Sequence, residues 1–270
     1  MSLWFEKSCI ALTPERLIEV RLSRGLRPQL TVKLDVDITP GESMPWGVAL
    51  DTLRTHREEQ GTQKRIQYSV LLSGQFVRFQ VIPWQDALNK PNERLAYAKH
   101  CLRETYGAAA LAWDISLSDT GYGKAALAAA VDRGFLEGIR ACFEDVPLVS
   151  IKPWLTAAYS RFCANWSRDT APHYFCSVEG QDLHVIRTAK GEVSGVYRQS
   201  IRNGWQQALQ ATQLQAMHPG ETRSTVSVIG ISAASITRSA DELIRVLKMD
   251  QRWTNPSAKT LITELAAVGL

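Results

Sequence analysis

The chain has 270 residues, 45% hydrophobic and 21% charged, with a net charge of +4. These are the proportions of an ordinary globular protein of one large or two modest domains, and they exclude a disordered or fibrous chain. Its basic residues are scattered rather than gathered into a stripe, which argues against a nucleic-acid binder.

The N-terminal segment MSLWFEK has neither the apolar core nor the cleavage pattern of a signal peptide. No apolar run approaches the roughly eighteen residues of a spanning helix, so the expected location is the cytoplasm. Three strands follow, over residues 8–12, 16–22 and 30–38. The first two flank the turn Thr13-Pro14-Glu15, and strict alternation makes the third half-exposed. Pro40-Gly41 and Pro45 break the chain, and a helix over 47–60 has Val48, Leu50 and Leu53 as its apolar positions. Residues 66–72, apolar but for Gln67 and Ser69, suit a buried strand. An alternating strand over 76–82 is closed by Pro83, and a helix over 92–106 is stopped by Gly107.

Strands over 110–116 and 124–131 flank a Gly-rich turn. The second is rich in alanine, so helix competes with strand on propensity, but the turn is of the hairpin kind and favours strand. A helix over 132–143 begins with Asp132 as its cap, followed by a strand over 146–151 and a helix over 152–166 with Pro153 in its first turn. The polar break at 166–172 divides a first lobe, 1–166, from a second, 172–270. The second lobe opens on strands over 174–178, 183–188 and 192–199. A helix over 205–217, a strand over 225–231 and helices over 240–248 and 256–268 follow. Three strands, helix, strand, helix recur in both halves although the residues do not, the mark of a duplicated topology.

The cysteines, Cys9, Cys101, Cys142, Cys163 and Cys176, are odd in number and far apart, with no CxxC or CxxH pair. They read as reduced small hydrophobes, and no metal site is expected. His184 lies near Cys176 on a neighbouring strand, but nothing supplies the orienting third group of a nucleophilic pair. His56, His100, His173 and His218 sit in polar contexts and are expected to face solvent. The tryptophans, among them Trp46, Trp84, Trp113, Trp154 and Trp205, read mostly as core anchors.

Residues 70–84 (VLLSGQFVRFQVIPW), the helix over 93–106 ending Tyr106-Gly107, and residues 150–154 (SIKPW) carry a resemblance. Their order resembles the actin-like superfamily, and within it the pilus-assembly protein PilM and the cytoplasmic domain of the secretion protein GspL. The resemblance implies an α/β, actin-like, two-lobed fold built from RNase H-like βββαβα units, with a βαββα insert over about 76–143 in the first lobe. ATP-binding relatives place an acid and small residues in the first hairpin, an Asp-Ile-Gly type turn in the second and a Gly-Gly pair near the adenosine. This chain has LTPER at 12–16, VEGQD at 178–182 and VIGISAA at 228–234. Thr13, Pro14, Glu179, Gly180, Asp182 and Gly230 therefore read as vestiges of nucleotide loops. Pro14 has no N–H to offer a phosphate, and Glu179 and Asp182 are as well explained as turn residues.

Function implied by the resemblance is scaffolding, without enzymatic activity or cofactor. The resemblance implies as partner the PilN-like tail of an inner-membrane assembly protein, or a domain of the assembly ATPase, with membrane association only through that partner. The alternative is an ATPase or kinase with an atypical phosphate site, in which Thr13, Glu179, Asp182 and Gly230 would matter. A nucleic-acid-binding RNase H-like lobe is remoter, since the first strand lacks acids over 9–12. Aromatic residues and arginine concentrate in binding hot spots. The candidate partner surface is accordingly Phe76, Arg78, Gln80, Pro83 and Trp84, with Phe76, Arg78 and Gln80 on one free face and Val77, Phe79 and Val81 buried; the alternative is that both faces are packed.

Overall fold

Two five-stranded sheets with the same internal order organise the computed structural model, which describes residues 6–23, 29–39, 41, 44, 46–88, 90–163, 171–202, 204–216, 225–229 and 244–246. The chain runs through β1 (Glu6–Leu12), β2 (Arg16–Leu22), β3 (Leu30–Asp37), α1 (Gly47–Gln60), β4 (Ile66–Leu72) and β5 (Val77–Ile82). It continues through α2 (Pro91–Tyr106), β6 (Trp113–Leu117), β7 (Ala126–Asp132), α3 (Arg133–Ala141), β8 (Leu148–Pro153) and α4 (Trp154–Cys163). The last elements are β9 (His173–Glu179), β10 (Asp182–Ala189), β11 (Glu192–Ser200), α5 (Trp205–Ala216), β12 (Thr225–Ile229) and β13 (Ile244–Val246). By their internal contacts the described residues form two units. One holds those up to Phe76 together with 133–161, and the other holds 77–132 together with those from 162 to 246.

In the first unit the strand order is β3-β2-β1-β4-β8. β1 to β3 form an antiparallel meander, while β4 and β8 join β1 in parallel. Central β1 is covered on both faces, which is why its second half, Cys9 to Leu12, reads as an unbroken apolar run, with Cys9, Ile10 and Leu12 fully buried. Among the described residues β3 has only β2 beside it, and Val32 and Val36 stay 37% and 38% exposed. α1 buries Ala49, Leu50, Leu53, His56 and Arg57, whereas Val48 turns outward. Phe135 of α3 is fully buried between the Trp46 ring, stacked at 5.4 Å, and the Phe76 ring, edge-on at 5.0 Å.

α3 approaches α1 through Gly138, where an added Cβ would collide with the Leu50 side chain. Gly138→Ala is therefore expected to destabilise by about 1–3 kcal/mol, the usual cost of forcing a methyl into a packed interface. A urea melt of the variant measures it, and unchanged stability would show that the helices can part without loss.

The second unit contains the antiparallel sheet β5-β7-β6 and the sheet β11-β10-β9-β12-β13. Alanine-rich β7 is a strand, as its turn implied, because it sits centrally between β5 and β6. Its Ala128 and Ala130 leave room for α2, whose Ala98 and Leu102 pack there with Ile82. Gly107 ends α2 at φ 68°, a positive angle that glycine accommodates without steric cost. In the other sheet, Tyr174, Cys176, Leu183, Val185, Val226 and Val228 face α5. The β10–β11 turn holds Lys190 and Gly191 at φ 53° and 75°, the paired positive angles of a two-residue hairpin.

Three expectations change. The expected helix over 240–248 contains a strand, β13, because β12 offers a parallel neighbour whose pairing outweighs helical propensity. Asp132 does not cap α3 from a loop but remains on β7 opposite Trp113. Lys152 and Pro153 extend β8 alongside Leu71 and Leu72, so α4 starts at Trp154. The expected helix over 256–268, the residue Gly230 and most of the polar break at 166–172 lie outside the described residues.

Candidate functional site

The two hairpins that open the repeated sheets are closed by their own side chains. In the first, the Thr13 hydroxyl donates to the Arg16 carbonyl at 3.1 Å and accepts the Glu15 N–H at 3.2 Å. That hydrogen-bonded turn uses the only hydroxyl Thr13 has, and Pro14 contributes no donor. In the second, Glu179 and Asp182 face each other across the Gly180-Gln181 turn, and Gly180 sits at φ 57°. Arg198 clasps Asp182 with Nε and Nη2 at 3.1 and 2.8 Å, and Glu179 is buried. Both acids are thus held within the sheet. Among the described residues, no group of three or more His, Cys, Asp or Glu side chains is placed to hold a metal ion.

Cys176 and His184 do not meet. Cys176 pairs with Val185, while His184 pairs with Ser177, so the two side chains point to opposite faces of the sheet. Burial drives the Cys176 thiol pKa far up, which makes it a poor nucleophile, and burial pushes the His184 pKa down against the opposing influence of Glu179.

Two histidines expected in solvent are buried, and one of them marks a cluster that local pattern did not reveal. Glu19 of β2 is completely buried in the first unit. Its Oε1 accepts Ser8 Oγ at 2.6 Å and Arg21 Nη2 at 2.8 Å. Its Oε2 accepts His56 Nε2 at 2.7 Å and Gln60 Nε2 at 3.3 Å. Burial alone would raise the Glu19 pKa, but the bonds from His56, Ser8 and Arg21 outweigh it and bring it down to about 2. The carboxylate is therefore ionised and only accepts, so His56 donates from Nε2. The Glu19 carboxylate has no exposed surface, and the cluster acts as an internal lock. His173 is likewise buried, with Nε2 3.1 Å from Ser227 Oγ; His100 is exposed and His218 is outside the described residues.

The residues singled out for partner binding divide. Phe76 belongs to the first unit and is buried against Phe135. Arg78 and Gln80 share a face of β5 with Ile82, the face α2 covers, and Gln80 Nε2 donates to Thr105 of α2 at 3.1 Å. The alternation correctly separated two faces, but neither is free: Val77 is buried, and Arg78, Phe79, Gln80 and Val81 are all half-buried.

Pro83 and Trp84 are placed differently. Pro83 ends β5 and is exposed, and the chain turns so that Trp84 lies half-buried beside the start of α2. The Arg94 guanidinium lies 4.8 Å from the Trp84 ring centroid. Tyr122, carried on the β6–β7 loop between Gly121 and Gly123, meets the same ring edge-on at 4.8 Å and is 78% exposed. Trp84 Nε1 donates to Asp86 at 2.8 Å, which fixes the indole. Three chain segments thus build an aromatic platform with a cation against it, the composition of a protein-binding hot spot. Arg94 and Tyr122 were missed because neither lies on the alternating strand that drew attention to Trp84.

No protein-family description matches this sequence. No curated protein matches it either. Solved structures match in fold. A protein of Bacteroides thetaiotaomicron with an actin-like ATPase fold and unknown function superposes with a TM-score of 0.60 at 7% identity, over 85% of this chain and 84% of that one. The cytoplasmic domain of EpsL, an inner-membrane component of the type II secretion system of Vibrio cholerae, gives 0.58 at 11% identity, over 97% and 94%. The PilM–PilN type IV pilus biogenesis complex gives 0.52 at 13% identity, over 79% and 66%. The chain has the actin-like fold, and the group that its sequence resembles stands among its structural neighbours.

Proposed function

We propose that this actin-like chain is a non-catalytic adaptor of a type II secretion or type IV pilus-like assembly machine. The observation that carries the reading is the likeness to the EpsL cytoplasmic domain over nearly the whole of both chains. Two further features support it: hairpin turns in which Thr13 and Asp182 are already engaged, and an exposed aromatic platform suited to a protein partner. The partner in this reading is the cytoplasmic tail of an inner-membrane assembly protein, PilN-like in kind, or a domain of the assembly ATPase. The chain then works in the cytoplasm and reaches the membrane through that partner. Among the described residues, no helix is long and apolar enough to cross a membrane.

An extended tail would lay an apolar or aromatic anchor on Trp84 and Tyr122 and complete its contacts through backbone hydrogen bonds. Titration of the chain with synthetic tail peptides and with the ATPase domain tests the reading directly. Mg-ATP supplies the complementary test, because a ligand that binds the folded state raises Tm by mass action. The adaptor reading expects no upward shift at millimolar Mg-ATP. A clear rise, abolished by Asp182→Ala, would replace it with the nucleotide-binding alternative.

A further inference from the structure

A cavity of about 350 Å³ in the first unit is lined by residues of α1 and of the segment running from the end of α3. Its charged and reactive lining comprises Arg54, Arg57, Glu58, Cys142, Glu144 and Asp145. Arg57 is only 6% exposed. Its Nη1 donates to the Tyr68 hydroxyl at 3.0 Å, and its guanidinium lies 4.4 Å from the Tyr68 ring centroid and 5.1 Å from that of Phe143. Its Nε has no hydrogen-bond partner, and no carboxylate among the described residues is paired with it. A guanidinium buried without a counter-charge is costly, and two aromatic faces and a phenol offset only part of that cost.

Three of the other four charges of the cavity have the opposite sign, and all four have the opposite exposure. Glu58, Glu144 and Asp145 are exposed, and Arg54, also exposed, is already paired with Asp51 at 2.8 Å. A phosphate would meet these acids unfavourably. A single carboxylate joined to a cationic group satisfies the buried guanidinium and the acids together. The volume lies near the lower end of the ~300–1,000 Å³ range of ligand sites, enough for one amino acid and too small for an extended segment.

We propose that this cavity binds a small zwitterion of the amino-acid class, its carboxylate on Arg57 and its ammonium groups among Glu58, Glu144 and Asp145. The proposal does not depend on the adaptor reading. Cys142 serves as its reporter. It lines the same cavity, is half-buried and donates to the Gly138 carbonyl at 3.2 Å.

L-lysine is the probe, because three acids opposite one guanidinium favour a ligand with extra positive charge. Calorimetric titration of the full chain should show binding by L-lysine. Lysinamide, which lacks the carboxylate, and hexanoate, which lacks the ammonium groups, should each bind about tenfold more weakly or worse, the loss expected for one charged hydrogen-bonding group. Lysine should slow alkylation of Cys142 by iodoacetamide without protecting Cys101. Arg57→Met should abolish binding. Should that variant fail to fold, Glu144→Gln, at an exposed position, should still weaken binding several-fold. Equal binding of lysine and lysinamide, an unprotected Cys142, or wild-type affinity in Glu144→Gln would overturn the assignment. So would tighter binding of the tripeptide Gly-Gly-Lys, which would make the ligand a chain terminus.

Discussion

Glu19→Ala is expected to lower stability by about 3–5 kcal/mol, the cost of breaking a buried charge cluster by removing one member. At about 2–4 °C per kcal/mol for a protein of this class, Tm should fall by roughly 10 °C. The cost is large because four groups converge on one carboxylate. Ser8 and His56 are buried with it, and Arg21 spans it and Gln60. Without Glu19 the Arg21 guanidinium loses its ion pair, and the Ser8 and His56 donors lose their acceptor in a place water does not reach.

The same group imposes a pH dependence whose sign follows from the depressed pKa. Glu19 titrates near 4.5 in an unfolded chain and at about 2 in the folded one. Its contribution is fully present above the unfolded value and is lost as pH falls towards the folded one. The difference of about 2.5 units corresponds to about 3 kcal/mol, at roughly 1.4 kcal/mol per unit. Urea melts at about pH 5 and about pH 3 should therefore show a steeper loss for the natural chain than for Glu19→Gln. Parallel losses would mean that other carboxylates govern acid stability.

On the proposed adaptor reading, Trp84→Ala should weaken binding of a partner tail by about 2–4 kcal/mol, roughly 30-fold to 1,000-fold. The indole is the one ring that both Arg94 and Tyr122 touch, so its removal dismantles the platform rather than trimming it. The fold should lose far less, about 1 kcal/mol, because the ring is only half-buried and the cation–π contact is partly solvated. Tyr122→Ala, which keeps the indole and its cation, should weaken binding by a smaller factor. A folded Trp84→Ala protein that binds the tail with unchanged affinity would remove the platform from the function.

Much of the fold was legible because the strands carry their environment in their pattern. Central β1 is apolar from Cys9 to Leu12 and β4 from Val70 to Leu72, whereas edge strand β3 alternates. The repeated order of elements pointed to two similar sheets before any residue repeated. What pattern cannot carry is the choice between faces. Alternation along β5 separated Arg78 and Gln80 from Val77 and Phe79, yet only the packing of the folded chain shows that neither set is free. The Glu19–His56 contact was invisible for a related reason. The two residues are 37 positions apart, and each alone looks like an ordinary polar residue. In hindsight His56 carried a signal, three places after Leu53 on the buried stripe of α1. The platform was half legible: Trp84 announced itself beside a strand, whereas Tyr122 sits in a loop whose position follows only from the β6–β7 hairpin.

The parallel pairing of β4 with β8 has a consequence for how the chain is made. Ser69 and Ser150 are hydrogen-bonded neighbours 81 positions apart, with the whole of β5, α2, β6 and β7 between them. A ribosome releases β1 to β4 first, and that four-stranded sheet must wait with an open edge on β4 until the intervening hairpins and helix have emerged. If those segments collapse promptly on themselves, the late strand arrives on a short tether, and the entropy of closing so long a loop grows only slowly with its length. Any change that delays their collapse therefore exposes the waiting edge to other chains, and aggregation during synthesis becomes the first symptom of a defect lying far from the edge itself.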